Sequence, residues 1–340
     1  MALSKTTDEQ LAEFGEHVVW YEHDLPRGKS QDQGMRKLIV KGAALVMAVT
    51  KRAHAVREHV RAFVARRPEV MVKITGSSAD MKSLARSLDY VARAGRYKKK
   101  SEPELELENE VGDVYRGTEG REQLRKEWSL GGPPIPEVAA PAVMAGGKAR
   151  AARREVLKII YSMPAHLGRE AISQAARAAA SQTFAGHQWV MAHHADTDNH
   201  HAHVLVKMVD CNGRRMDPRK ADLERWRQTF ARELQARGIE AVASRRRVRF
   251  ERQKGQSQAV REMRGRGLVP ERDKTSRTQP AASARAKANE QRVLAAYQGI
   301  AQALAGSASE QDRSLAQGLQ SRLAEQGHVL KVAPGPRPAL

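Results

Sequence analysis

Between positions 194 and 203 the chain reads His194-Ala195-Asp196-Thr197-Asp198-Asn199-His200-His201-Ala202-His203, and it continues into Val204-Leu205-Val206. In an extended strand alternate side chains share a face, so His201 and His203 point one way while Ala202, Val204 and Val206 point the other. His194 closes the preceding apolar run Trp189-Val190-Met191-Ala192, and a loop carrying Asp196 and Asp198 can fold it back beside the pair as third member of a hairpin cluster. Three imidazoles with carboxylates nearby suit a divalent metal, the carboxylates serving to orient the ligands. A tag-like histidine tract has no reason to alternate with small apolar residues and run on as a buried strand. His193 and His200 fall out of phase with the cluster and read as loop or partner-facing residues rather than ligands.

The charge balance indicates what such a metal would act on. Lys and Arg outnumber Asp and Glu by 59 to 39, a formal net charge of +20 over 340 residues. An excess of this size favours phosphate backbones or anionic membranes as partners. Insertion into a membrane is disfavoured, because the apolar run Ala43 to Val49 is far short of a span and is followed by Lys51 and Arg52. The first forty residues hold no compact hydrophobic stretch of the secretory kind. Cys211 is the only cysteine, which excludes disulfides and cysteine zinc sites within the chain and fits a reducing cytoplasm.

Metal plus basic charge points to phosphoryl chemistry, in which the ion polarises a phosphate oxygen and a nucleophile attacks. Of the six tyrosines, Tyr90 stands apart. On a helical wheel it falls opposite the stripe formed by Met81, Leu84, Leu88 and Val91, so its ring is not part of that core face. Arg93, Arg96, Lys98, Lys99 and Lys100 follow directly, cations able to hold a DNA strand against the phenol and to favour its phenolate.

The elements that must position these residues follow from periodicity and punctuation. A basic helix from Ala43 to Arg67 stops at Pro68, and a short strand Val70 to Ile74 ends at Gly76. A helix capped by Ser77 or Ser78 runs to Ala94 and stops at Gly95. The alternation Glu104 to Glu108, a turn at Val111-Gly112-Asp113 and Val114-Tyr115 predict a surface hairpin. A helix over 120–128 is followed by a Gly/Pro-rich linker over 131–147. Then come a strand at Val156 to Tyr161, an alanine-rich helix from Glu170 to Phe184, the two histidine strands, a turn at Asn212-Gly213 and a helix from Ala221 to Arg237. This order predicts an α+β fold, a central antiparallel sheet flanked by helices with basic N- and C-terminal extensions. The expected division is an N-terminal, partly helical extension over 1–69, a catalytic domain over 70–243 with a loop at about 130–150, and a C-terminal tail over 244–340. Residues 244–280 hold 12 Lys and Arg against 4 Asp and Glu and read as a basic disordered arm, with a helix or two over 285–327.

His194-x-Asp196-Thr197-Asp198-Asn199-x-His201-x-His203 resembles the third motif of conjugative relaxases, the HUH-type nucleases that nick plasmid or integrative-element DNA at an origin of transfer. The resemblance is to the branch that includes T-DNA border and broad-host-range plasmid relaxases. Leu88-Asp89-Tyr90-Val91-Ala92-Arg93-Ala94-Gly95 resembles the first motif of that family, and Ile159-Ile160-Tyr161-Ser162-Met163-Pro164 the segment around its second. The likeness covers about residues 70–243 in the family's order and implies the HUH-type relaxase core.

It further implies that Tyr90 attacks the phosphate at the nic site and becomes linked to the 5′ end. His194, His201 and His203 would hold Mg²⁺ or Mn²⁺, and Asp198, or less readily Asp196, would orient a ligand or accept the tyrosine proton. Arg93, Arg96, Lys98, Lys99, Lys100 and Ser162 form the expected DNA-binding set. The implied partners are single-stranded and supercoiled DNA at an origin of transfer, relaxosome accessory proteins and a type IV coupling protein. The implied location is the bacterial cytoplasm, with passage into a recipient cell alongside the DNA. Two departures from the family pattern stand out: about seventy residues precede the first strand, and a basic tail stands where many relatives carry a helicase or primase. Alternatives are a non-catalytic DNA-binding accessory protein and a rolling-circle replication initiator. The order tyrosine before histidines favours the transfer relaxases. A histidine-triad hydrolase would need a third alternating histidine where Leu205 stands.

Overall fold

The computed structural model describes residues 5–19, 36–97, 103–130, 133–139, 142–143, 149–150, 152–194, 199–250, 258–269 and 280–332. In chain order its elements begin with α1 (Thr7–Gly15), α2 (Arg36–Val64), β1 (Met71–Ser78), α3 (Met81–Val91), β2 (Leu107–Asn109), β3 (Val114–Tyr115) and α4 (Gly117–Leu130). They continue with β4 (Ala142–Val143), β5 (Ala149–Arg150), β6 (Val156–Pro164), α5 (Arg169–Thr183), β7 (Trp189–His194), β8 (Asn199–Lys207) and α6 (Lys220–Gln235). The last three are α7 (Gln258–Gly265), α8 (Pro280–Ala305) and α9 (Glu310–Glu325). The chain divides into two units, Pro68–Ala243 and the pair of segments Met1–Arg67 with Ser244–Leu340.

The first unit is built on a six-stranded sheet of order β1-β6-β8-β7-β2-β3, every neighbouring pair antiparallel. Because side chains alternate, β6, β7 and β8 supply two apolar sets. Leu157, Ile159, Tyr161, Met191, Val204 and Val206 lie on one face with Ala175, Ala176 and Ala179 of α5 and Phe230 and Leu234 of α6. The alanines give α5 high helix propensity and a flat surface that approaches the sheet closely. On the other face Val156, Val190, Ala192 and Leu205 pack against Leu84 and Leu88 of α3 and Leu124 and Trp128 of α4. Each fully buried Leu, Ile or Phe adds about 1.5–3 kcal/mol to this framework. Lys207, 2% exposed on this second face, donates from Nζ to the Trp128 carbonyl at 2.9 Å and to Gln188 Oε1 at 3.0 Å. Its ammonium thereby satisfies a carbonyl in the last turn of α4, where no helical partner remains. The second face is therefore roofed at the Lys207 end, away from the histidines of β8.

Three local expectations are corrected. Strand β1 runs on through Gly76 to Ser78, with a register irregularity between Ile74 and Gly76, since a glycine tolerates a bulge without ending the ladder. The cap of α3 is Asp80, whose carboxylate accepts from Ser83 N at 2.7 Å in a capping box, rather than Ser77 or Ser78. The β2–β3 hairpin is not a separate surface feature. Glu108 pairs with Met191 and Asn109 with Val190, so it extends the central sheet, with Leu107 fully buried.

The second unit is helical. Leu11, Val56, Val60, Tyr297, Ile300, Leu304, Leu319 and Leu323 form its core. A Cβ at Gly299 would lie 2.5 Å from Phe14 Cδ1, so glycine is what lets α8 approach the end of α1 this closely. Arg57 grips Asp312 through Nε and Nη2 at 2.8 and 2.9 Å and Asp8 through Nη1 at 2.8 Å, linking α1, α2 and α9. The reading of 244–280 as a disordered arm fails where residues are described. Arg246–Arg249 form a 3-10 turn, Val248 is fully buried, and its carbonyl accepts from Tyr297 Oη at 2.9 Å. One apolar residue inside a charge run suffices to anchor it, a signal that composition averages away. Among the described residues no helix is long and apolar enough to cross a membrane.

Candidate active site

The hairpin of β7 and β8 sets the histidines side by side. Ala192 pairs with His203 and His194 with His201. The ring centroids stand 4.4 Å apart for His194 and His203, and 5.0 Å apart for His194 and His201 and for His201 and His203. One nitrogen from each ring falls within 4.8 Å of the others. His194 and His203 are buried, at 3% and 5% exposure, while His201 is partly open. Backbone carbonyls fix two tautomers. His201 Nδ1–H donates to the Asn199 carbonyl at 3.0 Å, which leaves Nε2 as the lone pair. His194 Nε2–H donates to the Val91 carbonyl at 2.8 Å, which leaves Nδ1. Converging imidazoles with their opposite nitrogens held by carbonyls have the donor chemistry of a metal centre. The cluster could bind a metal ion.

Val91 closes α3, and the way this helix ends brings Tyr90 to the histidines. Ala94 N–H donates to the Asp89 carbonyl at 2.8 Å and Arg93 N–H to the Tyr90 carbonyl at 3.2 Å, with Arg93 at φ 53°. These are the bonds of a Schellman ending, in which the left-handed position is normally glycine. The Val91 carbonyl, orphaned by the end of the helix, is the one His194 satisfies. From the left-handed position the Arg93 guanidinium reaches back and donates from Nη2 to His194 Nδ1 at 3.0 Å. Asp89, next to Tyr90, pairs with Arg121 Nε at 3.0 Å, and Arg121 also holds Glu104 at 2.8 Å. The last turn of α3 is thus clasped from both sides. Tyr90 itself is 44% exposed, its ring edge-on to His203 at 5.5 Å and to Tyr97 at 5.2 Å.

Beside Tyr90 and His203 opens a cleft of about 440 Å³, lined by Arg86, Tyr97, Lys158, three serines and Thr75. Burial, with the neighbouring Arg86 cation, holds the Lys158 ammonium below the usual lysine range. Two cations facing one polar cleft have the charge to attract an anion. Sequence reasoning missed both residues. The available signals were Arg86 one helical turn before Tyr90, and Lys158 interrupting an apolar strand on the same face as Ser162.

Of the residues singled out from sequence, His194, His201, His203, Tyr90 and Arg93 come together here. Ser162, 4% exposed, is the register partner of His201 on β6. Arg96 lies in the 3-10 turn Gly95–Tyr97. Asp196, Asp198, Lys98, Lys99 and Lys100 lie outside the described residues. His193 and His200 are not loop residues: both belong to strands, paired with Ala202 and Met163, and point to the face covered by α5 and α6. Burial, reinforced by the Arg169 cation, pushes the His193 pKa down to about 4.

Comparison with known families gives one match. Residues 139–239 match the family described as "Relaxase: MobA/VirD2-like, nuclease domain". That span holds β6, α5, β7, β8 and all three clustered histidines, and it excludes α3 and Tyr90. No curated protein and no solved structure matches the chain.

Proposed function

With residues 139–239 a MobA/VirD2-like relaxase nuclease domain, we propose that the chain nicks one strand of DNA at an origin of transfer and retains that strand covalently on Tyr90. The observation that carries this reading is the half-exposed Tyr90 ring standing edge-on to His203, 5.5 Å away, at the rim of the three-histidine cluster. Tyr90 Oη attacks the phosphorus. The Oη–P bond forms as the P–O3′ bond breaks, the 3′ oxygen leaves to take up a proton, and the 5′ end stays on the tyrosine. The phenolic proton passes to a carboxylate of the segment between β7 and β8, Asp198 or, second, Asp196. A phosphodiester is exchanged for a phosphodiester, so a returning 3′ hydroxyl can reverse the step and rejoin the strand.

Mg²⁺ or Mn²⁺ held by His194, His201 and His203 would supply Lewis-acid polarisation of a non-bridging phosphate oxygen. Lys158 and Arg86 bind a neighbouring phosphate in the cleft, with Arg93, Arg96 and Lys98 to Lys100 extending the contact along the strand, while Ser162, buried beside His201, supports the site from below. Origin DNA is the substrate. Relaxosome accessory proteins and a type IV coupling protein are the proposed protein partners, met in the bacterial cytoplasm before passage to a recipient.

The test is a supercoiled plasmid carrying the DNA that flanks the gene, incubated with protein and Mg²⁺. A strand-specific nick with a detergent-stable protein–DNA adduct is expected, and Tyr90→Phe removes both while leaving binding largely intact. Binding without nick or adduct in the unaltered protein would make it a DNA-binding accessory factor instead.

A further inference from the structure

Arg93 occupies a position that costs energy. A side chain at φ 53° sits in the left-handed region, disfavoured by about 1–2 kcal/mol for a residue other than glycine. The helix-ending hydrogen bonds at this position use only backbone atoms, so glycine would make them equally well. What glycine cannot supply is the guanidinium on His194. A strained residue kept at a functional site signals a use for its side chain.

That use follows from counting lone pairs. With Nε2–H donating to the Val91 carbonyl, the His194 ring has a single lone pair, on Nδ1. Arg93 Nη2–H points at it from 3.0 Å. A metal ion needs the same lone pair and also repels the guanidinium, so the two cannot hold Nδ1 together. The arginine N–H stands in for the ion at the third ligand.

We infer that Arg93 is a positioning residue that gates the metal centre: it caps His194 Nδ1 and must leave for an ion to bind with all three histidines. Once displaced, the guanidinium has a phosphate as its natural partner, a bidentate match on the substrate the site would take. Metal loading thus releases a cation for DNA, and DNA drawing Arg93 away opens the ligand for metal, a reciprocal coupling. The inference rests on reading the histidines as metal ligands.

The experiment is calorimetric titration of the full chain with Mn²⁺, without nucleic acid. Arg93→Ala is expected to bind Mn²⁺ about tenfold more tightly, the scale of one charge-assisted hydrogen bond no longer in competition. Arg93→Asn, whose side chain tolerates the left-handed region, should do the same if the alanine variant folds poorly. Lys82→Ala removes an exposed charge at the start of α3, and its affinity should change less than threefold. A merely structural role for Arg93 would weaken metal binding when the residue is removed. Unchanged or weaker affinity in both Arg93 variants, or an equal gain in Lys82→Ala, overturns the gate while leaving the metal site standing. No Mn²⁺ binding by any form overturns the metal site, and the gate with it.

Discussion

The hairpin of β7 and β8 carries histidines on both faces of the sheet, and the two sets differ in everything except residue type. His194, His201 and His203 converge on one face, with the tautomers of His194 and His201 fixed by the carbonyls of Val91 and Asn199 and with Tyr90 at their edge. His193, one residue away, turns to the face covered by α5 and α6, where burial drives its pKa to about 4 and keeps it neutral. A one-residue step along a strand decides between an imidazole in the cluster and a packed ring. The lesson is that phase relative to the sheet, and not histidine density, makes the site.

The comparison is broken most severely by exchanging faces. His203→Ala should lower nicking on the order of 10³-fold, the scale seen when a preorganised electrostatic group is removed. His193→Ala should leave it within about threefold in the same assay, and comparable losses in both variants would erase the distinction. The covered face is tested by stability. Trp189→Ala should cost about 3–5 kcal/mol in urea unfolding, with Mn²⁺ affinity of the folded protein unchanged. On the site face, Lys158→Ala should lower the slope of log affinity against log salt for a single-stranded oligonucleotide by about one, as expected for one lost phosphate contact.

The smallest effect separates the two histidine sets by pH. A histidine whose folded pKa is about 4 against an ordinary value of 6.5 binds fewer protons in the folded than in the unfolded chain between those limits. Its contribution to stability is therefore complete above pH 6.5 and is lost as the pH falls towards 4. His193→Gln should flatten this acid limb in a denaturant–pH series, and an unaltered limb would show that His193 is not the group responsible.

Much of the site is legible in the sequence because it depends on local periodicity. The period of two sorts the histidines onto faces, and the helical period lifts Tyr90 off the apolar stripe of α3. What depends on distant pairing is not legible. Lys158 lines the same cleft as Tyr90 only because β6 pairs with β8 and α3 packs on that face of the sheet. Arg93 reads as a surface cation until the Schellman ending turns its side chain back onto His194. The helical unit joins residues such as Leu11 and Tyr297, nearly the whole chain apart, so each half alone reads as an extension. Val248 is hidden for a different reason, a single apolar residue within a run of arginines.

Whether Tyr90 is the nucleophile beside the histidine cluster is read from the position of the covalent adduct. The protein is incubated with a single-stranded oligonucleotide spanning the nick site and Mg²⁺, digested with trypsin and nuclease, and the phosphorylated peptide is sequenced by mass spectrometry. The nucleotide remnant is expected on Tyr90, with no adduct from His203→Ala. A remnant on Tyr97, which stands edge-on to Tyr90 at 5.2 Å, or an adduct that survives Tyr90→Phe, would contradict it.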